Sequence, residues 1–183
     1  TVAPLLIPLP DGNNVYIYGV ADRVDICKKN GNIYVRVVDY KTGTKKFSLS
    51  DIAMGLNLQM LIYLFSIWMD RNGSVRKALN AEGEIIPAGV LYYEAKLPTI
   101  DADLGTSAEE IYEKAENSLK RNGLLINNKE ILELMEKKLS GKYIPVKLNK
   151  SGDITASAKT THLASLEEMG KLMQSITDTI SKI

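Results

Sequence analysis

Residues 19–43 read GVADRVDICKKNGNIYVRVVDYKTG, and the Asn30-Gly31 pair at its centre decides how the rest is arranged. Asn-Gly between two runs rich in Val, Ile and Tyr is the preferred two-residue loop of a type I′ hairpin, because both loop positions need positive φ. Such a turn pairs residues symmetrically about itself. Val24 then faces Val37 and Ile26 faces Val35, which gives the ribbon an apolar face directed at a core. On that face, farther from the turn, Asp22 faces Asp39. Asp25 belongs to the other face and meets Arg36, an ion pair that accounts for itself.

Carboxylates opposed at about 4.5–5.5 Å repel each other. A divalent cation between them offsets the repulsion, since Mg2+ takes one or two carboxylates and keeps several waters. Lys41 follows Asp39 by two and projects on the same face. An acid pair with a lysine at one strand end suits phosphodiester hydrolysis. The metal polarises the phosphate and acidifies a bound water, and the ammonium holds that water or stabilises charge on the phosphorus. Asp22, Asp39 and Lys41 are the candidate catalytic residues. The two acids are candidate metal ligands, with the backbone carbonyl of Tyr40 as a third. The alternative, two solvated strand-end acids, stays open at this point, and a bulge in either strand would undo the register.

Beyond the hairpin, the run 15–27 predicts one or two strands and 33–40 another. Ser48 with Asp51 starts a helix expected to reach about Asp70, apolar almost all round and so buried against more than one layer. Gln59 and Tyr63 lie one turn apart on it. As buried polar groups they need partners, and the candidates are site waters, Lys41 or a DNA backbone. Asn72-Gly73 reads as a turn, and 85–96 as a long strand closed by Pro98. Two mixed-charge helices are expected over 107–121 and 128–139, separated by Asn122-Gly123. A short hairpin is expected around Ser151-Gly152, and Ser165 with Glu168 caps a last helix. Strands, helix, strand, helices imply a mixed α/β or α+β domain.

The bulk properties bound the function. With 183 residues, 45% hydrophobic and 25% charged, the chain suits one domain with a real core. A formal net charge of +1 advertises no nucleic acid, so any DNA contact must come from local placement. Lys45 and Lys46 are candidate phosphate contacts, as are Lys28 and Lys29, although loop lysines are more often simply solvated. Cys27 is the single cysteine, which excludes an internal disulfide framework. No apolar run is long enough to predict a membrane span, and a reducing cytoplasm is the expected compartment. His162 has no second ligand nearby and is expected at the surface.

GVADRVD, VVDYKTG and GLNLQMLIYL, in this order and spacing, resemble the nuclease domain of the AddB and RecB group. That group lies within the PD-(D/E)XK nuclease superfamily, and the AddB branch is nearer in wording. The resemblance covers residues 15–65 and extends more weakly through 85–98 and the C-terminal helices. It implies a restriction-endonuclease-like α/β core with a central mixed sheet flanked by helices. It also implies that Asp22 is the first metal ligand, Asp39 and Lys41 the acid and lysine of the D-x-K strand, and Tyr40 the residue whose carbonyl completes the site. Gln59 and Tyr63 match the Q-x-x-x-Y helix, Gln59 as a catalytic positioning group and Tyr63 as a DNA contact. The implied cofactor is Mg2+, with Mn2+ as a substitute. The implied activity is exonuclease degradation of single-stranded DNA leaving a helicase, in double-strand break repair and recombination, alongside an AddA-like helicase-nuclease partner in a bacterial cytoplasm.

Two departures qualify the match. The group's usual helix upstream of the first strand is not expected within this chain. AddB-like members also carry a four-cysteine iron–sulfur site, whereas Cys27 lies inside the hairpin, so no cluster is expected here. Residues 1–183, beginning at Thr1, are expected to be one nuclease domain cut from a longer helicase-nuclease polypeptide. Two other functions are weighed: a catalytically silent DNA-binding or scaffold module, and a stand-alone RecB-like exonuclease of a phage or CRISPR system. The intact Asp22, Asp39-Tyr40-Lys41 set argues against the silent copy.

Overall fold

The hairpin forms in the predicted register. A computed structural model describes residues 2–43, 45–70, 72–95, 99–119 and 121–182. Its first four strands are β1 (Val2–Pro8), β2 (Asn14–Gly19), β3 (Arg23–Lys29) and β4 (Asn32–Lys41). Asn30 and Gly31 both take positive φ, 52° and 79°. Val24 pairs with Val37, Asp25 with Arg36 and Ile26 with Val35. The run 15–27 is therefore two strands, β2 and β3, broken at residues 20–22. β2 pairs with β1 as a separate antiparallel ribbon.

The expected helix from Ser48 to Asp70 is two helices, α1 (Leu49–Ala53) and α2 (Gln59–Met69). Ser48 caps α1 as predicted. Gly55 and Asn57 then take positive φ, 78° and 58°, which no continuous helix accommodates. A short α3 (Ser74–Leu79) follows, then β5 (Ile85–Glu94) and α4 (Ala108–Ser118). Pro98 lies outside the described residues.

Asn122-Gly123 is not a turn but part of β6 (Arg121–Ile126), an interior strand of the sheet. Gly123 is required there because a Cβ would stand 2.0 Å from the Val90 carbonyl oxygen. α5 (Lys129–Met135), the β7 (Val146–Leu148) and β8 (Ile154–Ala156) hairpin, β9 (Thr161–Ala164) and α6 (Leu166–Ile180) complete the chain.

The central sheet runs β3-β4-β5-β6-β9. β4/β5 and β6/β9 are parallel, while β3/β4 and β5/β6 are antiparallel. Pro87 is tolerated inside β5 because the ladder slips beside it, between Val35 and Arg36. Adjacent residues face opposite sides of the sheet. Val35, Val37, Val90 and Leu124 pack under Leu61, Leu64 and Phe65 of α2 and Met169 and Ile176 of α6. Leu91 and Leu125 on the other side pack with Leu132, Ile144 and Val146. The result is an α/β fold with a mixed five-stranded sheet between two layers. Ile26 departs from the expected core face: it is 41% exposed because β3 is the sheet edge.

Candidate active site

Asp22 sits at the bend between β2 and β3, one residue beyond the last pair of the ladder, Arg23 with Val38. Its Oδ2 accepts the amide hydrogen of Tyr40 at 3.1 Å, so its carboxylate lies against the peptide that follows Asp39. Asp39 is 8% exposed. Lys41 Nζ stands 2.6 Å from Asp39 Oδ2. That approach is an ion pair whose angles do not make a hydrogen bond, and the buried oxygen has no hydrogen-bond partner among the described residues. Asp25, by contrast, is saturated by Arg36 Nη2 at 2.5 Å and Arg23 Nε at 2.6 Å. Burial opposes ionisation of Asp25, but the two arginines outweigh it and hold the carboxyl below its ordinary range.

Tyr92, which the sequence did not single out, pairs with Asp39 in the parallel ladder. Burial first, and the Asp39 charge second, push its phenol up. It therefore stays a neutral wall beside the acid.

Gln59 is exposed at the start of α2, not buried. Its Nε2 donates to the Tyr63 hydroxyl at 2.9 Å rather than to Lys41. The expected partner was wrong because the i,i+4 spacing brings the two side chains to each other. Tyr63 packs on Gly19, at the end of β2 that leads into Asp22.

The loop after β4 carries Lys45 and Lys46. Lys45 Nζ donates to Asn57 Oδ1, while Lys46 is exposed. Asn122, buried on β6, anchors this loop: its Oδ1 accepts from Phe47 N at 2.6 Å and its Nδ2 donates to Lys45 O at 2.8 Å. Lys41, Lys45, Lys46, Tyr92 and Asn122 share a cavity of about 80 Å³. No sequence signal distinguishes Asn122 as an anchor, since its partners lie more than seventy residues away. Lys28 donates to the Leu79 carbonyl and Lys29 is exposed. His162 is half-buried against the Phe47 ring, centroids 5.7 Å apart, and not a surface residue.

Among the described residues no three His, Cys, Asp or Glu side chains gather as a metal cage. An acid pair nonetheless fits Mg2+, which binds through one or two carboxylates and completes its shell with water and phosphate. The buried, unpartnered Asp39 oxygen is the donor such an ion needs.

A sequence profile described as the PD-(D/E)XK nuclease superfamily matches residues 2–165. The chain is also similar to proteins named as the AddB component of an ATP-dependent helicase/deoxyribonuclease. It is 34% identical to that of Clostridium acetobutylicum over 86% of this chain and 13% of the relative. Identity is 34% to that of Clostridium kluyveri over 98% and 15%, and 37% to that of Clostridium novyi over 86% and 14%. The chain thus spans about a seventh of the length of these relatives.

Proposed function

The chain belongs to the PD-(D/E)XK nuclease superfamily, and from that premise we propose that it is the deoxyribonuclease centre of an AddB-type component of an ATP-dependent helicase-nuclease. It hydrolyses phosphodiester bonds of unwound, single-stranded DNA, as an exonuclease in double-strand break repair and recombination. An AddA-like helicase-nuclease is its partner, in the bacterial cytoplasm. The names of the similar proteins support this, as does their match across most of the chain.

One observation carries the reading: Lys41 Nζ is 2.6 Å from an Asp39 oxygen that is buried without a hydrogen bond. Asp22 and Asp39 would hold Mg2+, or Mn2+ in its place, with the Tyr40 carbonyl as a further donor. When bound, such an ion supplies Lewis-acid polarisation of the phosphate and a more acidic water. Lys41 brings a positive charge to the same point, where it holds the attacking water or stabilises the charge that grows on the phosphorus. Tyr92 and the α2 layer keep bulk water from Asp39, which strengthens both attractions. Gln59 and Tyr63, bonded to each other, brace the approach to Asp22 and contact the strand. Lys46, and Lys45 from its tether on Asn57, meet flanking phosphates.

The test is cleavage of a single-stranded oligonucleotide in Mg2+ by the wild type, Asp39→Ala and Lys41→Ala. Wild-type cleavage abolished by chelator and by either substitution supports the proposal. Equal cleavage by all three refutes it, and so does its survival in chelator.

A further inference from the structure

The sheet face opposite Asp39 carries a row of side chains that hydrolysis does not use. Arg23, Tyr40, Tyr93 and Arg121 cross four neighbouring strands, β3 to β6, at the end that bears Lys41. Tyr40 pairs with Tyr93, and Tyr93 with Arg121, in the ladders. Arg23 Nη1 donates to the Tyr40 hydroxyl at 3.1 Å. The two tyrosine rings meet edge to face, with centroids 6.1 Å apart at 65°. The Arg121 guanidinium lies over the Tyr93 ring, 5.0 Å from its centroid, and the Tyr93 hydroxyl donates to the Tyr143 carbonyl at 2.8 Å. Each ring is held by its neighbours, yet Tyr40 is 43% exposed and the Arg23 side chain 53%.

A fixed, exposed aromatic ring flanked by guanidinium groups is the pairing by which single strands are gripped: bases stack on the ring and cations meet the backbone. Because the Tyr40 ring is immobilised beforehand, stacking on it costs little further ordering. The location adds to the chemistry. Asp39 and Lys41 flank Tyr40 in the strand and point to the other face, and the Tyr40 amide is the one Asp22 holds. A DNA strand whose phosphate lies at Lys41 therefore reaches over the sheet end with a neighbouring base beside Tyr40. In a duplex that base is stacked inward and not available.

We propose that the Tyr40 ring, backed by Arg23, Tyr93 and Arg121, is a stacking platform for an unpaired base next to the cleaved phosphate. It makes the site select single-stranded over double-stranded DNA without reading sequence. This rests on the nuclease function proposed above.

The experiment measures binding of a single-stranded oligonucleotide containing 2-aminopurine, in Ca2+ to hold back cleavage, beside a duplex of the same sequence. Stacking quenches the 2-aminopurine emission when the wild type binds. Tyr40→Ala is expected to lose the quench and to weaken single-strand binding about tenfold, while duplex binding is unchanged. Tyr40→Phe, which keeps the ring, retains both signals. Tyr40→Thr, a strand-favouring residue without a ring, guards against misfolding and is expected to match Tyr40→Ala. Wild-type affinity and quench in Tyr40→Ala or Tyr40→Thr overturn the platform, and leave the nuclease function standing if Lys41→Ala still abolishes cleavage in Mg2+. A wild type that neither binds nor cuts single strands overturns both.

Discussion

Tyr63 lies so tightly on Gly19 that a Cβ at the glycine would stand 2.1 Å from Tyr63 Cε1 and 2.6 Å from its hydroxyl oxygen. The strand leading into Asp22 and the helix beginning at Gln59 are thereby locked together. Gly19→Ala forces the ring away, with an overpacking cost of about 1–3 kcal/mol, and breaks the Gln59–Tyr63 hydrogen bond. Chemical denaturation is expected to register that loss, and nuclease assays a lower rate. Adding Tyr63→Ala removes the collision, so the double variant is expected to fall short of the summed single effects. Strict additivity would show that the two residues are not coupled.

Asp22 and Asp25 are three residues apart and differ in every contact. Asp25→Asn leaves Arg36 without its charge partner and is expected to lower stability by about 1–3 kcal/mol, with metal-dependent cleavage intact. Asp22→Asn is expected to do the reverse. Its fold holds, while cleavage falls by more than the about 10–100-fold typical of losing an outer-sphere partner. Parallel melting curves and cleavage rates separate the two.

Asn122 satisfies a donor at Phe47 and an acceptor at Lys45 at once. Asn122→Ala strands both and is expected to cost about 1–3 kcal/mol. Asn122→Asp keeps only the acceptor function and is expected to be intermediate. Both variants free the Lys45–Lys46 loop, and hydrogen exchange at the Phe47 amide is the readout.

Glu136 ends α5 and gathers the chain that follows. Its carboxylate accepts from the Ser140 amide and hydroxyl and from the amides of Lys142, Tyr143 and Ile144. Burial opposes its ionisation, but these donors outweigh burial and hold the pKa below the ordinary 4.5. A depressed folded-state pKa gives stability that is complete above the unfolded value. It is lost as pH falls through the folded one. Between about pH 5 and about pH 3 the urea midpoint of the wild type is expected to fall more steeply than that of Glu136→Gln. Parallel slopes would remove Glu136 as a source of acid sensitivity.

The hairpin and its register were legible because Asn30-Gly31 acts locally: two positive-φ positions determine every pair out to Arg23 and Val38. Asp25 with Arg36, and the shared face of Asp39 and Lys41, came with it. Asn122-Gly123 bears the same dipeptide and is a strand, because there the glycine answers to Val90 on another strand. β1 stayed hidden behind Pro4 and Pro8, which argue against a strand unless it lies at an edge, and β1 pairs only with β2. The break at Gly55 and Asn57 inside an apolar run, and the exposure of Ile26 at the sheet edge, both depend on neighbours distant in sequence. The same holds for the Asn122 anchor and the Tyr93–Arg121 contact. Periodicity identifies which side chains share a face, not what covers that face.

Whether the acids hold a divalent ion is tested most directly by titrating Mn2+ into the wild type, Asp22→Asn and Asp39→Asn and following free Mn2+ by electron paramagnetic resonance. The wild type is expected to bind Mn2+ at a site that Mg2+ competes for and that both variants lose. An unchanged binding curve in the two variants would contradict the assignment of these carboxylates as the metal ligands.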